Sequence, residues 1–503
     1  MRPEFKTYEQ RDTNRMINPQ KPSTQDQDIL VMKFGGTSIG TAEAMAQAVQ
    51  IIRQARLEWP AVVVVISALA GVTDLLLATA IRAAQGEIQD VVLAEQELRD
   101  RHLAIVEALI KERSRHTHVT QEINRLLTEF SNLGQAICVL GEATPRGLDS
   151  IASLGERLSV RLLEAALTEQ GVAAQFVEAS QLIITDRSFQ NAHPDFQATT
   201  LNTRQVLSPI LSNGRVPVVT GFIAATPEGI VTTLGRGGSD LSAAILGAVL
   251  PARDVWIWTD VDGVMSADPH LVPLARTIPQ LTYREIAELA YFGAKVLHPK
   301  TIRPILDAGL SLRICNTFNP LHPGTRLVPD QPGKSNGAIK AVTAIYNQRL
   351  VTVEGRGMLG VPGVAARTFS AVASTGTSVP LITQASSEQS ICFAVPAGSV
   401  EAVLSSLHKA FATELHNRDI DRIWATGDVV IATVVGVGMI HTPGIAGKVF
   451  SALGRDQINV IAIAQGSSEV SISLVVDAVE AERAVRALHS LILDQGNGNL
   501  SET

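Results

Sequence analysis

The segment LGRGGSDLSAAILGAVL, which begins at Leu234, concentrates residue types that bind charged small molecules. Arg236 carries a planar guanidinium that can grip a carboxylate with two hydrogen bonds. Ser239 can cap the predicted helix that follows, whose N-terminus favours anions, and Asp240 can hold an ammonium or a Mg²⁺ ion. Three glycines allow positive φ angles and a close approach of the backbone to a ligand: Gly235, Gly237 and Gly238. The segment suggests a site for an anionic substrate with an amine, beside a phosphate donor; the alternative is a glycine-rich turn before a capped helix.

A second segment, VMKFGGTSIG at 31–40, has the composition of a phosphate site. Lys33 ends a predicted strand, where its ammonium can neutralise charge on a phosphoryl group in transfer. Four small residues follow, and their backbone amides and hydroxyls can hold phosphate oxygens: Gly35, Gly36, Thr37 and Ser38. Because the spacing matches neither the Walker A loop nor GxGxxG, a plain strand–turn–helix is the alternative.

Two further segments offer groups for an amino-acid ligand. Thr73, in SALAGVTD, can donate a hydrogen bond to a substrate carboxylate, or it can simply cap the next helix. Glu156, in the Gly-Glu-Arg sequence at 155–157, lies within a helical pattern. It either reaches into a cleft and binds an amine, or it is a solvated surface glutamate.

The segment TDVDGVMSADPH at 259–270 follows a predicted strand and is rich in Asp and Gly, which favours a nucleoside-binding site. The segment GAKVLHP at 293–299 follows a helix that Thr282 and Glu285 open as a capping box. Lys295 in that segment can meet phosphates, whereas His298 is interpreted as a packed or surface imidazole without a catalytic role.

Short apolar runs alternate with helical patterns from Ile29 onward, which predicts a mostly parallel sheet covered by helices on both faces. The predicted strands are Ile29–Phe34, Ala61–Ile66, Arg215–Thr220, Val255–Trp258 and Leu312–Ile314. The predicted helices are Thr41–Arg56, Ser153–Gln170, Leu241–Leu250 and Tyr283–Tyr291. This block closes near Arg326, where a connector rich in Pro and Gly follows at 327–337.

An internal repeat occupies the region after the connector. Residues 355–391 align without a gap with residues 436–472, and 17 of the 37 positions are identical. Such a match indicates a duplicated module, and each copy reads as strand, Pro-Gly turn, helix, strand, polar turn, strand. A ligand-sensing pair is the preferred interpretation, and a duplicated dimerisation module is the alternative.

The bulk composition narrows the class of protein. With 503 residues, 46% hydrophobic and 18% charged, the chain is globular and long enough for more than one domain. Its net charge of −7 argues against nucleic acid or an anionic membrane as the main partner. No apolar run reaches the roughly 18 residues of a transmembrane helix.

The cysteines are far apart in the sequence, which favours core thiols in a reducing compartment: Cys138, Cys315 and Cys392. Residues 1–28 are a polar extension, expected to be a disordered tail, with a targeting peptide as the alternative.

The segments KFGGTS, SALAGVTD, GER, GRGGSD, TDVDG and GAKVLHP, in this order, resemble the aspartate kinases of the amino-acid kinase superfamily. The repeat resembles the paired ACT regulatory domains of these enzymes. Its phrases SVPLITQASSEQSI and NVIAIAQGSSEVSI look most like the ACT pair in the kinase half of bifunctional aspartate kinase–homoserine dehydrogenases. No GxGxxG follows the repeat, so we expect a monofunctional kinase with a regulatory region of the bifunctional type.

This resemblance implies an α/β amino-acid kinase fold followed by two α+β, ferredoxin-like ACT domains. The implied limits are an extension at 1–28, the kinase domain at 29–326, a linker at 327–340, ACT domains at 341–420 and 421–490, and a tail at 491–503.

The resemblance also implies the reaction ATP + L-aspartate → ADP + 4-phospho-L-aspartate, with Mg²⁺, as the first step of lysine, threonine and methionine biosynthesis. Lys33 and Asp240 would be catalytic, with Lys33 stabilising the transferred phosphoryl group. The residues implied to hold aspartate are Thr73, Glu156, Arg236, Ser239 and Asp240. The residues implied to contact ATP are Lys33, Gly35, Gly36, Thr37, Ser38, Thr259, Asp260, Met265, His270, Lys295 and Val296.

Two positions depart from the family pattern. Family members often have Tyr where this chain has Met265, and Arg where it has His270. Met265 can still pack on adenine or ribose. His270 lacks a permanently charged fork, so the phosphate contacts at that position are weakened.

The ACT pair implies an amino-acid effector, threonine before lysine. The residues expected to bind it are Met358, Ser378, Val379, Pro380, Gln384, Met439, Asn459, Val460, Ile461 and Gln465. ACT modules often complete their sites across subunits, so we expect a homodimer or a larger assembly, in the cytoplasm. The alternatives are another amino-acid kinase, such as glutamate 5-kinase or acetylglutamate kinase, and a non-catalytic amino-acid sensor.

Overall fold

The computed structural model of the protein describes residues 28–293, 297–329, 339–384 and 389–497. The elements of the first unit are β1 Ile29–Phe34, α1 Ala42–Glu58, β2 Ala61–Ile66, α2 Val72–Ala83, α3 Ile88–Leu109, α4 Arg113–Leu140, α5 Pro145–Glu169, β3 Ala174–Val177, α6 Phe196–Ser212, β4 Val216–Thr220, β5 Ile223–Ala225, β6 Val231–Thr233, α7 Gly238–Val249, β7 Asp254–Thr259, β8 Gln280–Thr282, α8 Tyr283–Tyr291, α9 Pro299–Asp307, β9 Ser311–Asn316 and β10 Thr325–Val328.

Eight strands of this unit form one sheet in the order β3-β4-β2-β1-β7-β9-β10-β8, and only the β9–β10 pair is antiparallel. Every residue of β1 is buried, because helices cover both faces and alternate side chains enter opposite cores. Met32 and Phe34 pack on the side of α1 and α5, whereas Val31 packs on the side of α7. The predicted fold class is confirmed, and Lys33 ends up at the carboxyl edge of a central strand.

The predicted elements agree with the observed ones to different degrees. Strands β1 and β2 and helix α8 have the predicted bounds, and Thr282 with Glu285 forms the predicted capping box. Helix α5 begins at Pro145 rather than Ser153, because Thr144 caps it through a hydrogen bond from the Gly147 N–H. Helices α3 and α4 were not predicted. They pack against each other and extend the helical layer on the α5 side.

The elements of the second unit are β11 Ala341–Glu354, α10 Val364–Ala373, β12 Leu381–Gln384, β13 Ser390–Pro396, α11 Val400–Ala410, α12 Ala412–Asn417, β14 Arg422–Ala425, β15 Val429–Val435, α13 Ile445–Arg455, β16 Ala462–Ala464, β17 Ser471–Asp477 and α14 Ala481–Asn497. The two copies of the repeat fold alike. Gly363 and Gly444 take φ angles of 90° and 85° at equivalent helix starts, before α10 and α13.

Strand β11 belongs to both modules of this seven-stranded sheet. Its residues 341–345 pair with β15 of the second copy, whereas 348–354 pair with β13 of the first. The fourth strand of the second module is therefore supplied by chain that precedes the first module. The domain limits at 341–420 and 421–490 stay a prediction that does not account for this sharing.

Helix α8 joins the two units through its acidic residues. Glu285 is fully buried, and its carboxylate accepts hydrogen bonds from the Lys340 ammonium at 2.9 Å and the Val437 N–H at 2.8 Å. Glu288 accepts a hydrogen bond from the Ser471 hydroxyl at 2.6 Å. The loop around Val437 is thus attached to helix α8 of the first unit.

Two observations bear on the environment of the protein. All three cysteines are free thiols, with Cys315 buried and Cys138 and Cys392 half-buried. Among the helices of the described residues, none combines the length and the apolar character that crossing a membrane requires.

Candidate active site

A cleft of about 550 Å³ opens at the carboxyl ends of β1 and β2, opposite the N-terminus of α7. Parallel strands end at one edge of their sheet, and ligands bind outside that edge. Seven of the residues predicted to act on substrate or nucleotide line this cleft: Lys33, Gly36, Thr73, Glu156, Arg236, Ser239 and Asp240. Residues separated by more than 200 positions in the sequence therefore line one cleft.

A second groove of about 570 Å³ lies beside the edge strand β3 and contains none of the predicted site residues. Its one acidic wall residue is Glu178, which is neutralised by Arg157 at 3.3 Å and Arg161 at 2.9 Å. The cleft at β1 and β2 contains buried carboxylate oxygens of Glu156 and Asp240 that accept no hydrogen bond from the described residues, and it is the better candidate.

Lys33 and Asp240 face each other across the cleft. The Lys33 Nζ atom lies 2.7 Å from Asp240 Oδ1, and their side chains are only 11% and 15% exposed. Within the described residues Oδ1 makes no hydrogen bond of good geometry, so the attraction is mainly Coulombic. The pair holds a positive charge at the edge of β1, where a phosphoryl group can approach it.

Glu156 reaches the floor of the cleft from α5 and is 3% exposed, which excludes the alternative of a surface glutamate. Gly155 makes this depth accessible, since a Cβ atom there would lie 2.8 Å from the Ala68 side chain. Burial raises the pKa of Glu156 to about 8, against the opposing effects of backbone hydrogen bonds and the charge of Lys33. Its Oε2 atom has no hydrogen-bond partner among the described residues. A buried carboxylate oxygen without a partner is suited to an ammonium ligand.

Thr73 lies in the first turn of α2, half-buried, and lines the cleft. Thr73 does not cap this helix, because the capping residue is Gly71, which has a φ of 76°. The Thr73 hydroxyl is therefore available to a ligand.

The Arg236 loop differs from the sequence prediction at two points. Gly235 and Gly237 take the expected positive φ angles of 77° and 71°, but Gly238 is helical. Gly238 is required for space instead, since a Cβ atom there would lie 2.7 Å from the Phe222 ring. The prediction that Ser239 caps α7 is wrong: Gly237 is the capping residue, and Ser239 lies inside the first turn. Arg236 is exposed and forms no ion pair with the described residues, so its guanidinium can receive a carboxylate.

The small-residue loop after β1 is held tightly against β7. The Gly35 N–H donates to the Trp258 carbonyl at 3.1 Å. The buried Ser38 hydroxyl donates to the same carbonyl at 3.3 Å and accepts from Thr317 at 2.7 Å. The Ser38 side chain thus stabilises the loop, whereas the Thr37 hydroxyl is exposed and can bind a ligand.

The predicted nucleotide residues Thr259 and Asp260 follow β7, next to the Gly35 loop, and the Thr259 hydroxyl donates to Asp260 at 3.1 Å. Met265 is half-buried and accepts a hydrogen bond from Thr277 at 3.5 Å. His270 is exposed on a turn. None of these four lines the cleft of Lys33, and Lys295 and Val296 lie outside the described residues.

His298 packs against the loop that carries Arg236, which agrees with the interpretation of a packed imidazole. A Cβ atom on Gly237 would lie 2.4 Å from the His298 Cβ atom. The ring accepts the Lys300 N–H at 3.3 Å and caps α9.

The predicted effector residues lie at equivalent places in the two modules. Met358 and Met439 are buried in single helical turns before α10 and α13. The residues expected to present backbone groups come directly before β12 and β16 and are partly or fully exposed: Ser378, Val379, Pro380, Asn459, Val460 and Ile461. Gln384 and Gln465 are exposed at the ends of these strands.

Several residues that line the cleft were not predicted, among them the polar residues Asp149 and Gln190. Asp149 lies on α5, ahead of the predicted helix start at Ser153. Its spacing of seven residues from Glu156 is two helical turns, which would have placed both carboxylates on one face. The start signal was the Thr144-Pro145 pair.

Comparison with known proteins agrees with this architecture. Residues 28–316 match the amino acid kinase family, and residues 351–411 and 433–491 match the ACT domain. The chain is 38% identical to the chloroplastic bifunctional aspartokinase/homoserine dehydrogenase 1 of Zea mays, over 92% of this chain and 50% of that enzyme. It thus spans half the length of that relative. It is 32% identical to the aspartokinase of Schizosaccharomyces pombe, over 92% of this chain and 93% of that protein.

Among solved structures, E. coli aspartokinase III in complex with aspartate and ADP, in its R-state, superposes with a TM-score of 0.77 and 31% identity, covering 92% of this chain and 100% of that chain. The same enzyme with lysine and aspartate, in its T-state, gives a TM-score of 0.74 and 31% identity, covering 92% and 99%.

Proposed function

Because the chain belongs to the aspartokinases of the amino acid kinase family, we propose that it transfers the γ-phosphoryl group of ATP to the side-chain carboxylate of L-aspartate. The observation that carries the proposal is the composition of one cleft. Among the described residues, it contains a buried carboxylate with one unpaired oxygen, a guanidinium without an ion pair, and a lysine at the end of a central strand. These are the complements of an ammonium, a carboxylate and a phosphoryl group.

The roles of the binding residues follow from their chemistry. Glu156 accepts the α-ammonium of aspartate, because its Oε2 atom is buried and has no hydrogen-bond partner in the described part of the chain. Arg236 and Thr73 bind carboxylate oxygens, and the first turn of α7 with Ser239 adds the positive end of a helix. The substrate side chain is thereby directed toward Lys33 and Asp240.

The chemical step requires no general base, since a carboxylate is already ionised near pH 7. A carboxylate oxygen of aspartate attacks the γ-phosphorus, and the bond from phosphorus to the β,γ-bridging oxygen breaks, which leaves ADP. Lys33 stabilises the charge on the transferred group, with Asp240 holding its ammonium in place. ATP enters as its Mg²⁺ complex, and the ion neutralises phosphate charge.

The nucleotide is proposed to lie beyond Lys33, along the Gly35–Ser38 loop and the segment after β7. The Gly35–Trp258 hydrogen bond supports this, because it joins the two segments directly. Thr259, Asp260 and Met265 would contact the nucleoside, and the sequence resemblance implies that Lys295 and Val296 do so too.

Release of ADP by the purified protein tests the proposal. With MgATP, we expect turnover that requires L-aspartate and does not occur with L-glutamate or N-acetyl-L-glutamate. Turnover with one of those acids instead would assign a sister kinase. Binding of amino acids without turnover on any acceptor would favour a sensor.

We further infer that the ACT pair binds an amino acid and lowers the kinase activity, with L-threonine tested first and L-lysine second. Two features support regulation: the exposed residues before β12 and β16, and the attachment of the Val437 loop to α8 through Glu285. An effector that binds the inactive state more tightly shifts the population toward that state. That E. coli aspartokinase III was solved with lysine supports lysine as the second candidate.

A homodimer or larger assembly is also proposed. The edge strands β12 and β16 carry Ile382 and Ile463, 49% and 45% exposed, at equivalent positions of the repeat. Exposed apolar residues on an edge strand favour pairing with another chain. The free thiols fit a reducing compartment, and the cytoplasm is the proposed one.

A further inference from the structure

Helix α5 directs two carboxylates into the cleft from the same face. Asp149 and Glu156 are seven residues apart, which corresponds to two helical turns, and they are 1% and 3% exposed. Glu156 has one oxygen that no described residue pairs with, whereas both oxygens of Asp149 accept hydrogen bonds. The two residues therefore have different tasks.

Asp149 binds two segments that come from elsewhere in the chain. Its carboxylate accepts the Gln190 N–H at 3.1 and 3.0 Å, the Thr233 N–H at 3.1 Å and the Thr233 hydroxyl at 2.8 Å. Thr233 is the last residue of β6, three positions before Arg236. Helix α5 thus carries Glu156 and, through Asp149, also binds the start of the loop that carries Arg236. It holds the two at a fixed separation.

The Gln190 segment completes this connection. Gln190 has a φ of 68°, a left-handed conformation that is uncommon for a non-glycine residue. A Cβ atom on Gly235 would lie 2.9 Å from the Gln190 carbonyl oxygen and 2.9 Å from Asn191 Oδ1. The Gln190 segment, which Asp149 binds, therefore lies so close to Gly235 that position 235 has no room for a side chain.

The partners of Asp149 are neutral donors, two backbone N–H groups and a hydroxyl. Burial raises the pKa of this carboxyl, and the hydrogen bonds from Gln190 and Thr233 oppose that rise. A carboxylate that accepts all these donors cannot be replaced by an amide, because an amide presents its own N–H groups on one side.

We infer that Asp149 is a positioning residue that holds the Glu156 carboxylate and the Arg236 guanidinium in place, and with them the distance that the substrate side chain must span to reach Lys33. The inference rests on the proposed function, in which Glu156 binds the ammonium and Arg236 a carboxylate. Glutamate is one methylene longer than aspartate. When both anchoring groups are fixed, the longer side chain of glutamate extends past the position beside Lys33, whereas loosened anchoring groups admit it.

The test compares Asp149→Asn with the wild type for kcat and KM on aspartate, glutamate and ATP. We expect the aspartate KM to rise by roughly tenfold or more and the aspartate-to-glutamate ratio of kcat/KM to fall by about tenfold. The ATP KM should stay within about twofold. Asp195→Asn is the matched control, since Asp195 also accepts two backbone N–H groups but caps α6 and does not line the cleft.

Thr233→Val removes only the hydroxyl hydrogen bond and serves if Asp149→Asn folds poorly. It should shift the same ratio in the same direction by a smaller factor, while Thr233→Ser should restore it. An unchanged ratio in a folded variant, or an equal loss on aspartate and ATP, would overturn the inference.

Hydrogen exchange separates this inference from the proposed function. In Asp149→Asn, the amides of residues 188–191 and 233–237 should exchange faster than in the wild type, whether or not aspartate is the substrate. Failure of the wild type to use aspartate would reject the proposed function alone. Unchanged exchange in both segments would reject the positioning role of Asp149.

Discussion

The ammonium of Lys33 lies 2.7 Å from the carboxylate of Asp240, although the two residues come from β1 and from the first turn of α7. The pair joins the end of a central strand to the loop that carries Arg236. In the proposed reaction, the lysine stabilises the phosphoryl group in transfer, and the aspartate keeps it there before the nucleotide binds.

Replacing Lys33 with Ala is expected to lower kcat by roughly 10²–10³-fold, because charge stabilisation in the transition state is lost. The aspartate KM should change far less, since Lys33 is not proposed to hold the amino acid. Steady-state kinetics with Lys409→Ala, an exposed lysine on α11, provides the control. A kcat close to that of the wild type would rule out the proposed role of Lys33.

Replacing Arg236 with Lys is expected to raise the aspartate KM by roughly 10- to 100-fold, because an ammonium cannot form the bidentate contact of a guanidinium. The Tm should change little, since Arg236 is exposed and forms no ion pair with the described residues. Arg303→Lys on the exposed face of α9 is the matched control. An unchanged aspartate KM would show that the carboxylate binds elsewhere.

Glu156 makes the stability of the free protein depend on pH. Its pKa is about 8 in the folded state, against an ordinary value of 4.5, so between these values the folded state holds a proton that the unfolded state has released. The free energy of unfolding should therefore fall as the pH rises from about 4.5 to about 8. Glu156→Gln removes this contribution, and the variant should become more stable than the wild type near pH 8.

Denaturant unfolding of both proteins between pH 5 and pH 9 measures the effect. Saturating aspartate should flatten the wild-type profile, because its ammonium stabilises the ionised Glu156, and should do nothing for the glutamine variant. Parallel pH profiles of the two free proteins would contradict the assignment of the titration to Glu156.

Glu285 is expected to carry the coupling between the ACT pair and the kinase unit. Its carboxylate accepts hydrogen bonds from both Lys340 and Val437, and the amide of Glu285→Gln cannot accept both. The effector concentration for half-inhibition should rise by roughly tenfold, while kcat without effector is preserved. Glu401→Gln, at an exposed position of α11, is the control. Unchanged inhibition by threonine and by lysine would place the coupling elsewhere.

The parts of the site that the sequence predicted are those in which one residue type has a specific chemical use. Lys33 at a strand end, Arg236 among glycines and Glu156 after a glycine were identified from local pattern and from resemblance. All three line one cleft in the folded protein.

The parts that escaped prediction depend on contacts between distant segments. The role of Gly238 is set by the ring of Phe222, and the role of Asp149 by Gln190 and Thr233. Strand β11 precedes the repeat and was not predicted, and only its pairing shows that two modules share it. Such relationships are set by packing, which periodicity does not encode.

The most direct test of the central claim identifies the carboxyl group that receives the phosphoryl group. The protein is incubated with MgATP, L-aspartate and hydroxylamine, which converts an acyl phosphate to a stable hydroxamate, and the product is identified by mass spectrometry and NMR. The account predicts the hydroxamate of the aspartate side chain, with one ADP released for each molecule formed. A hydroxamate at the α-carboxyl group, or no aspartyl hydroxamate at all, would contradict it.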